Sequence, residues 1–337
     1  MKKNNLNILI ITVSTIALLI AVFLFEKPDH LISSLKTVNV FWLLCAGVCI
    51  PIGWLLESIT LHIISDKIGK VPDFKFKNAF QATMIGQLFN CITPFSSGGQ
   101  PAQAYYMVKQ GIPIGKSSCI LLTKFIIYQS MLTIYCLFVL FLRLQFFIVK
   151  ISGFTYLAIL GFIVNLVVVL LLIGIGFFPN ITENVLFHLA NILYKLKIIK
   201  NKEETYSIID MEIGNFYEGF QFLKQNIFTM FITSIIVLFQ LTTFFSISYF
   251  ICLSLNASTI DYISVLSSAA FVLMISSFVP LPGASGGAEG SFYLFFGMFF
   301  NTAGAVTIAM LMWRMLTFYM PILVGVLFTN KKSIETS

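Results

Sequence analysis

Charge is what this sequence has least of. Only 10% of its 337 residues are Asp, Glu, Lys or Arg, against about 25% in a typical soluble domain. Acidic residues number 14 and histidines three. Such a chain cannot cover a globular surface of this size with polar side chains, which excludes an ordinary soluble enzyme or binding module. Catalytic signatures are missing too. There is no G-x-S-x-G elbow, no Walker phosphate loop, no H-E-x-x-H and no paired-carboxylate motif. No catalytic residue, cofactor or metal is therefore assigned, and any transport is expected to be passive or ion-coupled. The six cysteines, Cys45, Cys49, Cys91, Cys119, Cys136 and Cys252, form no C-x-x-C pair and have no histidine near them in sequence. Cys45 and Cys49 fall at i, i+4 on a helix, a spacing that would suit a metal or a redox pair. Small packing residues in an apolar setting are the plainer expectation.

What the chain does have is apolar length. Hydrophobic residues make up 58%, and mean hydropathy is +0.93. A transmembrane helix needs about 20 apolar residues, and runs of that order lie at 8–25, 40–64, 117–142, 153–178, 227–253 and 303–328. The start, MKKNNLNILIITVSTIALLIAVFLFEKPD, imitates a signal peptide. Its apolar run of 18 residues is long for one, and no small-residue cleavage pattern follows, so a retained first helix is expected. Two further runs, 79–93 and 262–279, stop abruptly at clusters of Pro, Gly and Ser. The first is about 22 Å long at 1.5 Å per residue, short of a hydrocarbon core of about 30 Å. Both runs are expected to enter the membrane and return on the same side.

The net charge of +7 lies mostly in short connectors, which suits anionic lipid headgroups and orientation rather than nucleic acid. With both short runs re-entrant and the N-terminus inside, fifteen lysines fall inside, among them Lys67, Lys75, Lys109, Lys116 and Lys224. Only Lys27, Lys36, Arg143 and Lys150 fall outside. If both runs crossed instead, loop 179–226 and its five lysines would lie outside. The expected fold is an all-α polytopic membrane protein with about six full transmembrane helices and two re-entrant helical hairpins in an inverted repeat. One integral membrane domain would cover 1–330 and a short tail 331–337, with both termini cytoplasmic in a bacterial plasma membrane. Within 179–226, Tyr206, Ile209, Ile213, Phe216, Phe220 and Leu223 make one apolar stripe, and Val185, Leu189, Ile192, Leu193 and Leu196 another. These predict two amphipathic helices on the cytoplasmic interface, or a docking element for a partner enzyme.

The two short runs end in related sequence. ITPFSSGGQPAQAYYMV (92–108) and VPLPGASGGAEGSFYLF (279–295) share Pro-x-x-Ser-Gly-Gly at a constant offset of 188. The copies are Pro94, Ser97, Gly98, Gly99 and Pro282, Ser285, Gly286, Gly287, and Tyr105 falls opposite Tyr293. The first copy would enter from inside and the second from outside, so their tips could meet near the midplane, where transporters of this kind bind substrate. Proline ends a helix, glycine lets backbone turn and approach a ligand, and N–H groups at half-helix starts suit an anion such as phosphate. Hairpins that only seal the bundle are the alternative. Four ionisable side chains also sit in apolar context, where charge usually faces a cavity or a partner: Glu57, Lys124, Glu289 and Arg314. Glu289 follows the second Gly-Gly, and Arg314 lies midway along the last span. They are expected either to pair or to hold a lipid phosphate (Arg314) and an amine (Glu289). Glu57 is equally open to function and to structural pairing. Lys124 is expected to snorkel towards the interface, and His62 to be interfacial. The candidate substrate-binding set is thus Glu289, Arg314, Glu57, the eight motif residues and Gln100.

PLPGASGGAEGSF, together with WRMLTFYMPILVG at 313–325, resembles the lysylphosphatidylglycerol synthase transmembrane-domain family. That family includes the flippase portion of the bacterial multiple peptide resistance factor and stand-alone membrane members. TPFSSGGQPAQAYYM at 93–107 is similar to its Gly-Gly-Gln variant, and the resemblance spans roughly 8–328. It places Glu289 at the family's acidic position and Arg314 at the arginine of its last helix. Where many members carry Glu and then Arg in the first motif, this chain has Gln100 and Gln103, so the first half-site is expected to offer backbone and amide groups rather than charge. Full-length synthases carry a soluble aminoacyl-transfer domain after the membrane part, and no such site is read in these 337 residues. The resemblance implies a lipid translocase moving a phospholipid or aminoacyl-phospholipid, such as lysylphosphatidylglycerol, between leaflets. The alternative it implies is a phosphatidylglycerol lysyltransferase, or its membrane subunit. Implied partners are a phospholipid headgroup, a separate aminoacyl-transfer enzyme and a second copy of the chain. A membrane scaffold docking through 181–223 is the third reading.

Overall fold

The computed structural model describes residues 38–68, 74–151, 154–195, 202–257, 260–276, 279 and 281–329, and every regular element among them is helical. In chain order these are α1 (Val40–Lys67), α2 (Phe76–Ile92), α3 (Gly99–Lys109), α4 (Ile114–Lys150), α5 (Phe154–Phe177) and α6 (Pro179–Lys195). Then come α7 (Lys202–Gln225), α8 (Ile227–Ser254), α9 (Tyr262–Ser276), α10 (Gly287–Phe296), α11 (Ala303–Arg314) and α12 (Met320–Leu327). A widened π-turn, Met315–Tyr319, joins α11 to α12. Pro321 has no N–H to offer the carbonyl four residues back, and the widened turn lies just ahead of it.

Among the described residues, α1, α4, α8 and the α11–α12 segment are long and apolar enough to cross a membrane. A fifth span results if α5 and α6, bent by 94° between Phe177 and Pro179, are taken as one. The chain is therefore a multi-pass membrane protein. These helices cover the spans expected at 40–64, 117–142, 227–253 and 303–328. The one expected at 153–178 is α5 with its sharp turn into α6. The expected 8–25 helix and the 331–337 tail lie outside the described residues.

The spans are apolar on every side, as lipid and protein neighbours both require. Along α1, Leu44, Val48, Ile52 and Leu55 are exposed at spacings of three and four, an outward stripe suited to lipid tails. Its other face buries Ala46, Ile50, Trp54 and Leu61. α1 runs antiparallel to α8: Asn39 donates its N–H to the Ser254 carbonyl at 2.7 Å, and Trp42 stacks on Phe250.

Two antiparallel hairpins fill the space between the spans. In the first, α2 and α3 are tied by Asn78 Nδ2 to Gln110 Oε1 (2.9 Å) and by Tyr106 OH to Gln81 Oε1 (3.0 Å). Gly86 lets them approach, since a Cβ there would stand 2.4 Å from Gln103 Nε2. In the second, Phe271 of α9 stacks on Phe295 of α10. Each hairpin breaks at a 3₁₀ turn, Pro94–Ser96 and Pro282–Ala284, and the two turns pack on each other. α2 also packs on α12, where a Cβ on Gly325 would come within 2.7 Å of Leu88 Cβ.

α7 lies against the start of α4 rather than apart from the bundle. Gly115 donates its N–H to Glu212 Oε2 at 2.8 Å, Lys116 pairs with Glu218 at 3.4 Å, and Phe220 packs edge-on against Phe177. Far along the 37-residue α4, Arg143 leaves helical geometry (φ −127, ψ 15) and reaches Asp261 at 2.6 Å. Asp261 also accepts the Ser264 N–H (2.9 Å) and hydroxyl (2.8 Å), closing the first turn of α9. Burial pulls the Asp261 carboxyl up, but the Ser264 hydrogen bonds and the Arg143 guanidinium outweigh it and hold it below the ordinary carboxylate range. A carboxyl depressed in the folded state stabilises above its unfolded pKa of about 3.9 and loses that contribution as pH falls through the folded value. Asp261→Asn keeps the cap but loses the charge facing the half-exposed Arg143, and should lower thermal stability in detergent at pH 7 by about 0.5 kcal/mol. The deficit should shrink once the pH drops below about 4.

Candidate substrate site at the two broken hairpins

The repeated motif folds alike at first. Thr93 and Leu281 are extended (φ/ψ −113/148 and −114/150), and the next proline opens each turn. Phe95 and Gly283 then share a left-handed conformation (54/17 and 61/17), followed by Ser96 and Ala284 at φ 52 and 53. Three of these four carry a Cβ, so both tips hold strained backbone of the kind that clusters at functional sites. Ser97 and Ser285 donate their hydroxyls to the Pro94 and Pro282 carbonyls at 2.8 and 2.9 Å.

At the serines the tips diverge, Ser97 helical (ψ −15) and Ser285 extended (ψ 139). Gly98 continues right-handed (φ −81), whereas Gly286 is left-handed (φ 85). At the first tip, Gly98 donates its N–H to Thr93 Oγ1 (2.8 Å) and Gly99 donates to Asn90 Oδ1 (3.1 Å). The first half-helix thus has two of its leading amides taken by side chains of its own hairpin. Gln100 sits half-buried in the first turn of α3. At the second tip the Gly286 N–H goes to Glu289 Oε2 at 2.6 Å, a capping interaction that fixes the carboxylate over its own helix start.

Arg314 comes to this tip from α11. It is 5% exposed, and its Nη1 donates to the Gly283 carbonyl at 2.8 Å. Nη2 lies 2.7 Å from Glu289 Oε1, near enough for an ion pair yet off the line of a hydrogen bond, and Nε has no hydrogen-bond partner. The guanidinium lies over the Trp313 and Phe318 rings, 5.3 and 5.5 Å from their centroids. Glu289 and Arg314 therefore form the pair that was one of the two arrangements expected. The first turn packs on the second turn, whose Gly283 carbonyl binds Arg314.

Glu57 is placed elsewhere. Its Oε1 lies 2.8 Å from Lys124 Nζ, and its Oε2 accepts from Gln87 Nε2 at 2.6 Å. Lys124 also donates to Gln103 Oε1 at 3.2 Å. Lys124 does not run out to the interface as its depth in α4 suggested. Its side chain is 12% exposed and that of Glu57 13%. The first half thus holds a second ion pair, outside the Pro-x-x-Ser-Gly-Gly turn, and Glu57 is paired as one of its two expected roles had it. Sequence gave Lys124 its depth but not its partner, which is 67 residues away. Tyr105 and Tyr293, opposite in the repeat, differ in setting. Tyr105 lies under Lys109, while Tyr293 bonds the Thr307 hydroxyl.

Comparison with known proteins bears on the whole of this architecture. Residues 7–325 match the family described as "Lysylphosphatidylglycerol synthase TM region". The chain is also similar to a "UPF0104 membrane protein" of Archaeoglobus fulgidus, 26% identical over 332 residues and covering 96% of each chain.

Gly283 allows a double-variant test. A Cβ on Gly283 (φ 61) would lie 2.1 Å from Phe318 Cε2, whereas one on Gly286 (φ 85) meets nothing within 4 Å. Gly283 lies in the left-handed helical well (ψ 17), where alanine costs about 1 kcal/mol, and Gly283→Ala adds an overpacking cost of about 1–3 kcal/mol. Gly286 (ψ −51) lies in the γ-turn region, strained for any residue with a Cβ. Melting curves in one detergent should show Gly283→Ala/Phe318→Leu losing less than the sum of the two single variants, because the shorter side chain relieves the clash; additive losses would refute this account of the second tip.

Proposed function

The chain belongs to the lysylphosphatidylglycerol synthase transmembrane family, and on that footing we propose that it translocates a phospholipid headgroup between leaflets. The observation that carries this reading is Arg314. A guanidinium buried in a membrane-spanning segment, with its Nε unpaired, beside two strained helix breaks, is costly unless it serves a ligand. A phosphodiester is the anion such a fork fits best. Glu289, held against the same guanidinium, would exchange it for the amine of an aminoacylated headgroup such as lysylphosphatidylglycerol. The Pro-x-x-Ser-Gly-Gly turns are read as re-entrant tips of an inverted repeat. The headgroup passes between them while the acyl tails remain in lipid. With no nucleotide site in the sequence, movement runs down a gradient or is ion-coupled. The lysine distribution supports both termini on the cytoplasmic face of a bacterial plasma membrane.

The family description also names a synthase, which favours a second reading: a membrane subunit serving a separate aminoacyl-transfer enzyme. Lipid mass spectrometry of cells with and without the gene separates the two. Loss of total lysylphosphatidylglycerol supports synthesis, and altered leaflet exposure at constant amount supports translocation.

In vesicles containing acyl-NBD phosphatidylglycerol, with dithionite added outside, the purified protein should expose inner-leaflet probe. Arg314→Gln should slow this by at least about tenfold, the equivalent of one charge-assisted hydrogen bond, and Glu289→Gln should do the same for an acyl-NBD lysylphosphatidylglycerol, whose amine it would hold. Wild-type rates in both variants, with unchanged gel-filtration profiles, would sink the site.

A further inference from the structure

We propose that Glu57 and Lys124 form a second headgroup station, in the first half of the chain, for a headgroup bearing both a phosphate and an ammonium. The proposal rests on the translocase reading and extends it from one polar station to two. Four elements converge on this pair: α1 brings Glu57, α2 Gln87, α3 Gln103 and α4 Lys124.

The hairpin does not need the ion pair as a brace. Neutral bonds between Asn78 and Gln110 and between Gln81 and Tyr106 already fasten α2 to α3, and Gln103 is packed over Gly86. Burying a carboxylate and an ammonium seldom stabilises a fold more than apolar side chains of similar volume would. Charges retained at membrane depth therefore point to use rather than to fastening.

Placement supports the same conclusion. Lys124 stands 26 residues after Gly98, and Arg314 stands 28 after Gly286. In each half, then, the helix that follows the hairpin sends one cation back onto it. Lys124 contacts Gln103 in the second arm of the first hairpin, and Arg314 contacts Gly283 in the second tip. Each cation has one carboxylate partner, Glu57 or Glu289. Counted from the start of its helix at 1.5 Å per residue, Lys124 lies about 15 Å along α4 and Arg314 about 17 Å along α11.

The chemistry differs between the stations. Lys124 is a compact ammonium on a flexible stem, with three donors of which two are engaged. A phosphate oxygen can replace Glu57 at Lys124, and the headgroup ammonium can then take the freed carboxylate. The Gln87 and Gln103 amides remain alongside to complete either set of bonds. The exchange conserves charge at the site, so no net charge is left buried as the headgroup arrives or leaves.

The test uses the full chain in vesicles containing acyl-NBD phosphatidylethanolamine (phosphate and ammonium) or acyl-NBD phosphatidylglycerol (phosphate alone). The double variant Glu57→Gln/Lys124→Met removes both charges together and so avoids stranding either. It should melt within a few degrees of the parent, yet move both lipids at least tenfold more slowly per folded molecule. The single variant Glu57→Gln should slow the ethanolamine lipid by at least fivefold more than the glycerol lipid. Parental transport by the double variant would overturn the proposal, as would a large fall in melting temperature with transport per folded molecule unchanged, since the pair would then be a brace. Equal slowing of both lipids by Glu57→Gln would overturn the ammonium assignment. If the unaltered protein moves neither lipid, the translocase reading falls and this one with it. Transport that survives in the unaltered protein and in the double variant, but not in Arg314→Gln, removes the second station alone.

Discussion

Arg314 cannot be left alone where it sits. A guanidinium carries five donors and never gives up its proton, so in low-dielectric surroundings its neighbours must arrange themselves around it. They do so from three directions. The Gly283 carbonyl accepts from Nη1, Glu289 balances the charge, and Trp313 and Phe318 cover the faces. Each contact constrains an element. Gly283 must present its carbonyl, which fixes the left-handed turn. Glu289 must stand at the third position of α10, which fixes where that half-helix begins. Phe318 must lie within the widened π-turn, where its ring closes against the space a Gly283 Cβ would occupy.

The same floor joins the two halves of the chain. Phe318 and Ile322 cluster with Leu88, Cys91 and Ile92 of α2, and Gly325 lets α12 settle onto Leu88. The first hairpin therefore rests on the segment that carries Arg314, just as the second hairpin receives its side chain. Any shift of the last span moves the first tip by packing and the second by hydrogen bonding. The two turns, already in contact, cannot be displaced independently.

Much of this was legible in the sequence. The apolar runs located the long spans, because a membrane tolerates little else in a helix of that length. Pro and Gly located the breaks, and the constant offset of 188 predicted two turns whose backbones do agree from Thr93 to Ser96 and from Leu281 to Ala284. Glu289 and Arg314 stood out because charge in an apolar run is rare. What pairing does across long separations was not legible. Lys124 looks like a snorkelling lysine until Glu57 arrives from α1 and Gln103 from α3. Nor does the motif announce that Asn90 and Thr93 close the first tip's amides, since both act from outside the glycine pair. The amphipathic stripe of α7 was read as an interfacial face. From other positions of that helix, Glu218 and Glu212 bind Lys116 and the Gly115 amide of α4.

The asymmetry between the halves follows from where each keeps its charge. At the second tip the carboxylate belongs to the broken helix itself, so charge and strained backbone move as one body. At the first, Glu57 and Lys124 stand on α1 and α4 while the hairpin contributes only amides, Gln87 and Gln103. The first hairpin is tied to its charged flanks by hydrogen bonds from Gln87 to the Glu57 carboxylate and from the Lys124 ammonium to Gln103, each worth about 1.5–3 kcal/mol. Moving the second tip means carrying Glu289 away from Arg314, which exposes two unpaired charges to a low dielectric and costs about 3–5 kcal/mol. Two motifs with one sequence pattern are therefore held by different bonds. Because the two turns pack on each other, the ion pair that restrains the second tip restrains the first as well.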